Sequence, residues 1–162
     1  LKRVILLFSH LGTLFAGFML GIYVLPILIQ PDSPNIDAIS YQSNQVALTG
    51  RFDKEREDSD FFHWGEGDIA LTQDSVMFMG ELAPGPDYKL YLSPTFVETE
   101  DDFNKHKATM VRIGDIKTFD RFLLPLPSGT DLSDFNTAVI WCETFGEFIT
   151  SAELTSKDSP LQ

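Results

Sequence analysis

A chain of 162 residues holds one domain plus a small accessory element, and its 43% hydrophobic and 22% charged residues are those of a sequence that folds. The formal charge of −12 is concentrated beyond residue 36, where ten basic and 23 acidic residues leave −13. That balance repels phosphate backbones and anionic lipid head groups, so nucleic-acid binding is excluded as a function class. A single cysteine, Cys142, rules out an intrachain disulfide framework, and the absence of an Asn-x-Ser/Thr sequon fits a bacterial origin.

Val4 to Ile29 is one apolar run, about 26 residues or roughly 39 Å as a helix at ~1.5 Å per residue. A bilayer core of about 30 Å needs around 20 residues, so residues 1–30 are expected to form a transmembrane anchor. Lys2 and Arg3 precede the run and no cation follows it closely, which orients the N-terminus to the cytoplasm and the bulk of the chain to the periplasm or outer face of the inner membrane. A cleaved signal peptide is the competing reading. Its apolar region would be shorter and end at Ala-x-Ala-like small residues, whereas Leu14-Phe15-Ala16 and Ala16-Gly17-Phe18 match this poorly and the run continues past both. The retained anchor is therefore preferred; the first residue is Leu, not Met.

Thr13, Gly17 and Gly21 place small side chains at four-residue spacing, the pattern by which membrane helices approach one another. His10 is an ionisable residue inside the run, a candidate hydrogen-bond donor or intramembrane ligand. Pro31 and Pro34 make residues 31–36 a stiff extended tether, and the folded domain is expected over 37–156, with 157–162 as a tail.

The remainder reads as short strands punctuated by Gly and Pro: 46–52, 69–72 and 76–79 as a hairpin, 88–92, 109–113, 119–126, 138–142 and 147–154. Thr99-Glu100-Asp101-Asp102 caps a helix over about 100–107, whose last turn carries Lys105, His106 and Lys107, and a second short turn is expected at 132–135. The expected fold is an all-β antiparallel sandwich or small flattened barrel with one or two short helices behind one transmembrane helix.

Enzyme signatures are missing: there is no Gly-x-Ser-x-Gly, phosphate-binding glycine loop or His-Glu-x-x-His. His63, His106 and Cys142 are scattered, and the acidic clusters at 53–60 and 98–102 lack the ligand pattern of a calcium loop, so no metal site is assigned. Strand register places Cys142 with Ile140 and Ala138 on one face, and Trp141 with Val139 on the other. Both faces are apolar, as in a central strand with a buried, inert thiol. Its place at the strand end also suits a thiolate that ligates haem iron or takes part in one-electron or thiol chemistry, with His63 in Phe61-Phe62-His63-Trp64-Gly65 as second participant.

The run Leu126-Pro-Ser-Gly-Thr-Asp-Leu through Val139-Ile-Trp-Cys142 to Ala152-Glu-Leu154 resembles the C-terminal signature of the DM13 domain. Gly50-x-Phe52, His63 with Gly67, and Pro84-Gly-Pro-Asp-Tyr-Lys-Leu-Tyr-Leu92 match its earlier blocks in order, so the resemblance covers about residues 46–155. It implies a β-rich extracytoplasmic domain with a role in electron transfer, whose characteristic cysteine maps onto Cys142 as a bare thiol or a ligand to a prosthetic group. No Cys-x-x-Cys-His site exists, so any haem would be non-covalent. Two functions remain. The preferred one is a non-catalytic accessory subunit that packs through its helix against other subunits of a respiratory or photosynthetic membrane complex. The alternative is a domain that is itself redox-active through Cys142, assisted by His63.

Overall fold

The computed structural model describes residues 1–35 and 46–156. The expected domain start at Asp37 and the tail 157–162 lie outside the described residues.

Helix α1 (Lys2–Ile29) is followed by nine strands: β1 (Leu48–Phe52), β2 (Gly65–Leu71), β3 (Ser75–Leu82), β4 (Tyr88–Ser93), β5 (Val111–Ile116), β6 (Arg121–Pro125), β7 (Thr137–Cys142), β8 (Glu147–Glu153) and β9 (Thr155–Ser156). Helix α2 (Glu100–His106) precedes β5, and short 3₁₀ turns cover Lys107–Thr109 and Leu132–Asp134. Two antiparallel sheets, ordered β6-β3-β2-β1-β9 and β5-β4-β7-β8, form a sandwich, with β5 beside β6 and β8 beside β1 at its open edges. The fold is the expected one.

Most strand positions follow the alternation of apolar residues, and the departures have physical causes. Strand β2 begins at Gly65, four residues before its apolar run, because Gly65 and Gly67 carry no side chain to signal a face. A Cβ on Gly65 would lie 2.5 Å from Leu82 and 2.6 Å from Thr150, so glycine is what lets the sheets approach there. Strand β5 begins at Val111 rather than Thr109, because the Thr109 hydroxyl donates to the His106 carbonyl (2.8 Å) and holds it in the turn that closes α2. The Thr99 hydroxyl accepts from the Asp102 N–H (3.1 Å), the expected cap of α2.

The core between the sheets holds Phe52, Phe78, Leu90, Phe122, Ile140 and Ile149, with Phe78 stacked on Phe122 (4.9 Å) and edge-on to Phe52 (5.6 Å). A second cluster lies outside the four-stranded sheet, where α2 and the 94–99 loop bring Phe103 and Val97 onto Tyr91, Val139 and Trp141. Strand β7 is therefore interior in its sheet and buried on both faces, all six residues of it. Ala138, Ile140 and Cys142 point into the sandwich; Val139 and Trp141 point to α2.

Helix α1 is exposed along most of its length and is the one helix among the described residues long and apolar enough to cross a membrane, a property shared by anchors and signal sequences. Its second half lies against the domain: Pro26 is buried, and Tyr23 meets the Phe62 ring edge-on at 6.4 Å. The chain leaves α1 extended at Gln30, and the Ser33 hydroxyl then donates to the Asp120 carboxylate.

Candidate functional site

Strand β7 ends at Cys142, paired across to Tyr88 at the start of β4. The hairpin turn 143–146 that follows is closed by the Gly146 N–H donating to the Cys142 carbonyl (2.9 Å), with Gly146 in the left-handed region at φ 71°. Asp87 ties this turn to β4. Its carbonyl accepts from the Glu143 N–H (3.1 Å), and its carboxylate accepts from the Thr144 hydroxyl (2.9 Å) and pairs with Lys89. The Pro84-Gly85-Pro86 bend is packed so tightly that a Cβ on Gly85 would lie 2.3 Å from the Tyr88 ring.

His63 arrives from the opposite sheet on the 53–64 loop, whose acidic residues build the turn. The Asp60 carboxylate accepts from the Phe62 and His63 N–H groups (2.7 and 2.8 Å) and faces the His63 Nδ1 at 3.2 Å. Ser59 and Arg56 anchor the loop to the Ile149 and Ser151 carbonyls of β8, and the Asp58 carboxylate accepts from the Glu100 N–H of α2.

These pieces converge on a pocket of about 450 Å³. Cys142, Tyr88, Phe145 and the 84–86 bend form one wall, Phe62 and His63 another, and Ala16, Met19, Leu20, Ile22 and Tyr23 of α1 the third. The structure thus brings Cys142 and His63, distant in sequence, to one lining. His10, Thr13, Gly17 and Gly21 are not part of it. His10 places its Nδ1 2.7 Å from the Leu6 carbonyl, and the Thr13 hydroxyl donates to the Ser9 carbonyl (2.9 Å), both within α1. A Cβ on Gly17 or Gly21 would meet nothing within 4 Å, so that face is open. Sequence reasoning missed Tyr88, Phe145, Phe62 and the α1 wall; the signal for the first two was their adjacency to the Pro-Gly-Pro-Asp bend and to Trp141-Cys142.

Burial, with the negative charge of the Asp87 carboxylate, pushes the Cys142 thiol up, against the Phe145, Thr144 and Asp87 N–H groups, which favour its charged form. The sulfur belongs to a residue only 2% exposed. Beside it, Glu143 is held on the far side of the sheet by the Tyr91 hydroxyl and by Lys107 Nζ at 2.9 Å. Burial pushes the Glu143 carboxyl up, but those two donors outweigh it and hold it below the usual range; Lys89 does the same for Asp87. Carboxyls with lowered folded pKa stabilise the chain above their unfolded values near ~4, and the contribution is lost as pH falls through the folded values. The melting temperature is expected to drop on acidification below about pH 4, and a Glu143→Gln variant, followed by thermal unfolding across pH 2–6, should show a shallower drop than the parent.

The Electron transfer DM13 family model matches residues 51–154, well over half of the chain, from the end of β1 through β8. The chain belongs to the DM13 family. No curated protein and no solved structure matches it. The matched residues of this DM13 domain include Cys142 and His63, while α1 lies outside them.

The pocket of this DM13 domain fits a haem poorly: among the described residues no lysine or arginine lines it to pair with the propionates, and Cys142 is only 2% exposed. The lining is apolar around a buried thiol, with the His63 ring on the neighbouring wall.

Proposed function

We propose that this chain is a membrane-anchored electron-transfer domain in which Cys142 is the redox-active group and His63 its proton acceptor. One observation supports this above the others: two side chains far apart in sequence share the lining of one apolar pocket. Burial disfavours the free thiolate, and with it disulfide exchange. A protonated sulfur can lose one electron to a one-electron acceptor at the pocket mouth, as the S–H proton passes to His63. Because Nδ1 faces Asp60, Nε2 is the ring atom that receives it. Re-reduction returns one electron and one proton. Helix α1 is retained as the anchor, with Lys2 and Arg3 on the cytoplasmic side and the domain outside.

Redox titration of the full chain in mild detergent tests this. The parent is expected to give up one electron with loss of its titratable thiol, Cys142→Ser to give none, and His63→Gln to keep the couple with an altered pH dependence. A Cys142→Ser variant that exchanges electrons like the parent overturns the assignment.

A second reading, accessory subunit of a larger membrane electron-transfer complex, rests on the open face of α1. Thr13, Gly17 and Gly21 centre roughly 130° around the helix from the centre of the pocket wall at ~3.6 residues per turn, open to another helix. Mild-detergent extraction followed by mass analysis is expected to recover co-purifying subunits on that reading; recovery as a lone monomer removes it.

A further inference from the structure

Beyond α1, among the described residues 46–156, five large apolar side chains are exposed, and three of them, Phe61 (83%), Phe62 (57%) and Phe145 (50%), gather at the pocket end of the sandwich. Phe62 and Phe145 line the pocket; Phe61 packs edge-on to Phe62 at 5.0 Å and flanks Tyr23 in the adjoining cleft. Three exposed phenylalanines on a strongly acidic domain carry a desolvation cost unless something apolar covers them.

The neighbouring helix says what covers them. From Arg3 to Tyr23 is 20 residues, roughly 30 Å at ~1.5 Å per residue, the thickness of a bilayer core. With Arg3 at the inner boundary, Tyr23 falls at the outer one, where aromatic rings with a polar tip collect. The pocket wall, Ala16 to Tyr23, then occupies the outermost ~10 Å of the hydrocarbon. Phe62 and Phe145 line the same pocket as that wall, which brings them beside the outer end of the span. Lys54, Asp60, Glu66 and Glu81 line the cleft around Tyr23 and Phe61, so charge first appears at the level of Tyr23.

We infer that the Phe61-Phe62-Phe145 rim docks into the outer leaflet of the bilayer that α1 crosses, so that the pocket opens into lipid rather than water. The occupant is the leaflet of a neutral bilayer, since the domain's net negative charge opposes anionic head groups. The insertion depth is that of interfacial elements, about 5–10 Å. The inference rests on the retained anchor. It adds that the domain is seated on the membrane by its own side chains, and that whatever reaches Cys142 through the pocket comes from the lipid phase.

Depth measurement on the full chain in phosphatidylcholine vesicles decides it. Nitroxide labels are attached through Phe62→Cys, Phe145→Cys, Leu14→Cys and Asp134→Cys, each with Cys142→Ala, and collisions with oxygen and with a water-soluble nickel chelate are compared. Positions 62 and 145 are expected to lose chelate collisions and gain oxygen collisions relative to position 134, as position 14 does. If 62 and 145 match 134 while 14 is in lipid, the docking is overturned and the anchor stands. If 62 and 145 are shielded from both reagents, protein covers the rim and the inference is again overturned. If position 14 itself is aqueous, the anchor reading fails and takes the inference with it.

Discussion

Phe103→Ala is expected to cost about 3–5 kcal/mol of stability, as removal of a fully buried aromatic does. The Phe103 ring is fully buried and stacked on Trp141 at 3.9 Å and 9°, edge-on to Tyr91 at 5.2 Å, with Lys107 Nζ 5.3 Å from its centre. It is the one α2 side chain buried in the outer cluster, so its loss leaves a cavity that α2 can close only by moving. The aromatic pairing adds about 0.5–1.5 kcal/mol beyond area burial. Because Trp141 lies directly before Cys142, the effect reaches the site: its fluorescence should shift to the red as the cluster opens to water. Denaturant unfolding monitored by that emission checks both. Phe103→Leu, which refills part of the space, should recover part of the loss, and an alanine variant within about 0.5 kcal/mol of the parent would show that α2 carries little of the packing.

Gly67→Ala is expected to cost on the order of 2–6 kcal/mol, from backbone strain of about 1–3 kcal/mol and overpacking of about 1–3 kcal/mol. Gly67 has φ 146°, a conformation that L side chains rarely adopt. It lies opposite Gly80 in the β2–β3 pair, and an added Cβ would stand 2.4 Å from the Met79 carbonyl oxygen and 2.5 Å from the Gly80 Cα. Both are backbone atoms, so no side-chain rotation relieves the clash. The Phe78 ring lies against the same spot, 2.9 Å from that Cβ, at the centre of the core. A loss of that size is a large share of the ~5–15 kcal/mol available to a domain. Thermal unfolding and the yield of folded chain measure it, and an unchanged melting temperature would mean that β2 and β3 can separate freely at this point.

The positions that carry these two effects were legible to different degrees. Trp141 and Cys142 stood out as rare residues in a β-branched run, and the two-residue period assigned their faces correctly, because alternation is a local property of an extended backbone. The cap at Thr99 was equally local. Gly67 was visible only through the family resemblance, since a glycine shows neither face nor period, and the same silence hid the start of β2.

The amino-acid sequence by itself determined the membrane-grade helix, the acidic β-domain of the DM13 family and the two-faced apolar strand that ends in Cys142. The helix and the strand rest on composition and on spacing between near neighbours, the family on a resemblance spread over about residues 46–155. Only the tertiary structure decided that Cys142 and His63 meet in one pocket, and that α1 closes it. Joining them requires the two sheets to fold onto each other and the 53–64 loop to be tied to β8 through Arg56 and Ser59, contacts between residues some ninety positions apart. Helix α1 is apolar all round, so its sequence carries no periodic mark of the face that meets the domain. That face follows from the packing of Tyr23 on Phe62 and the burial of Pro26.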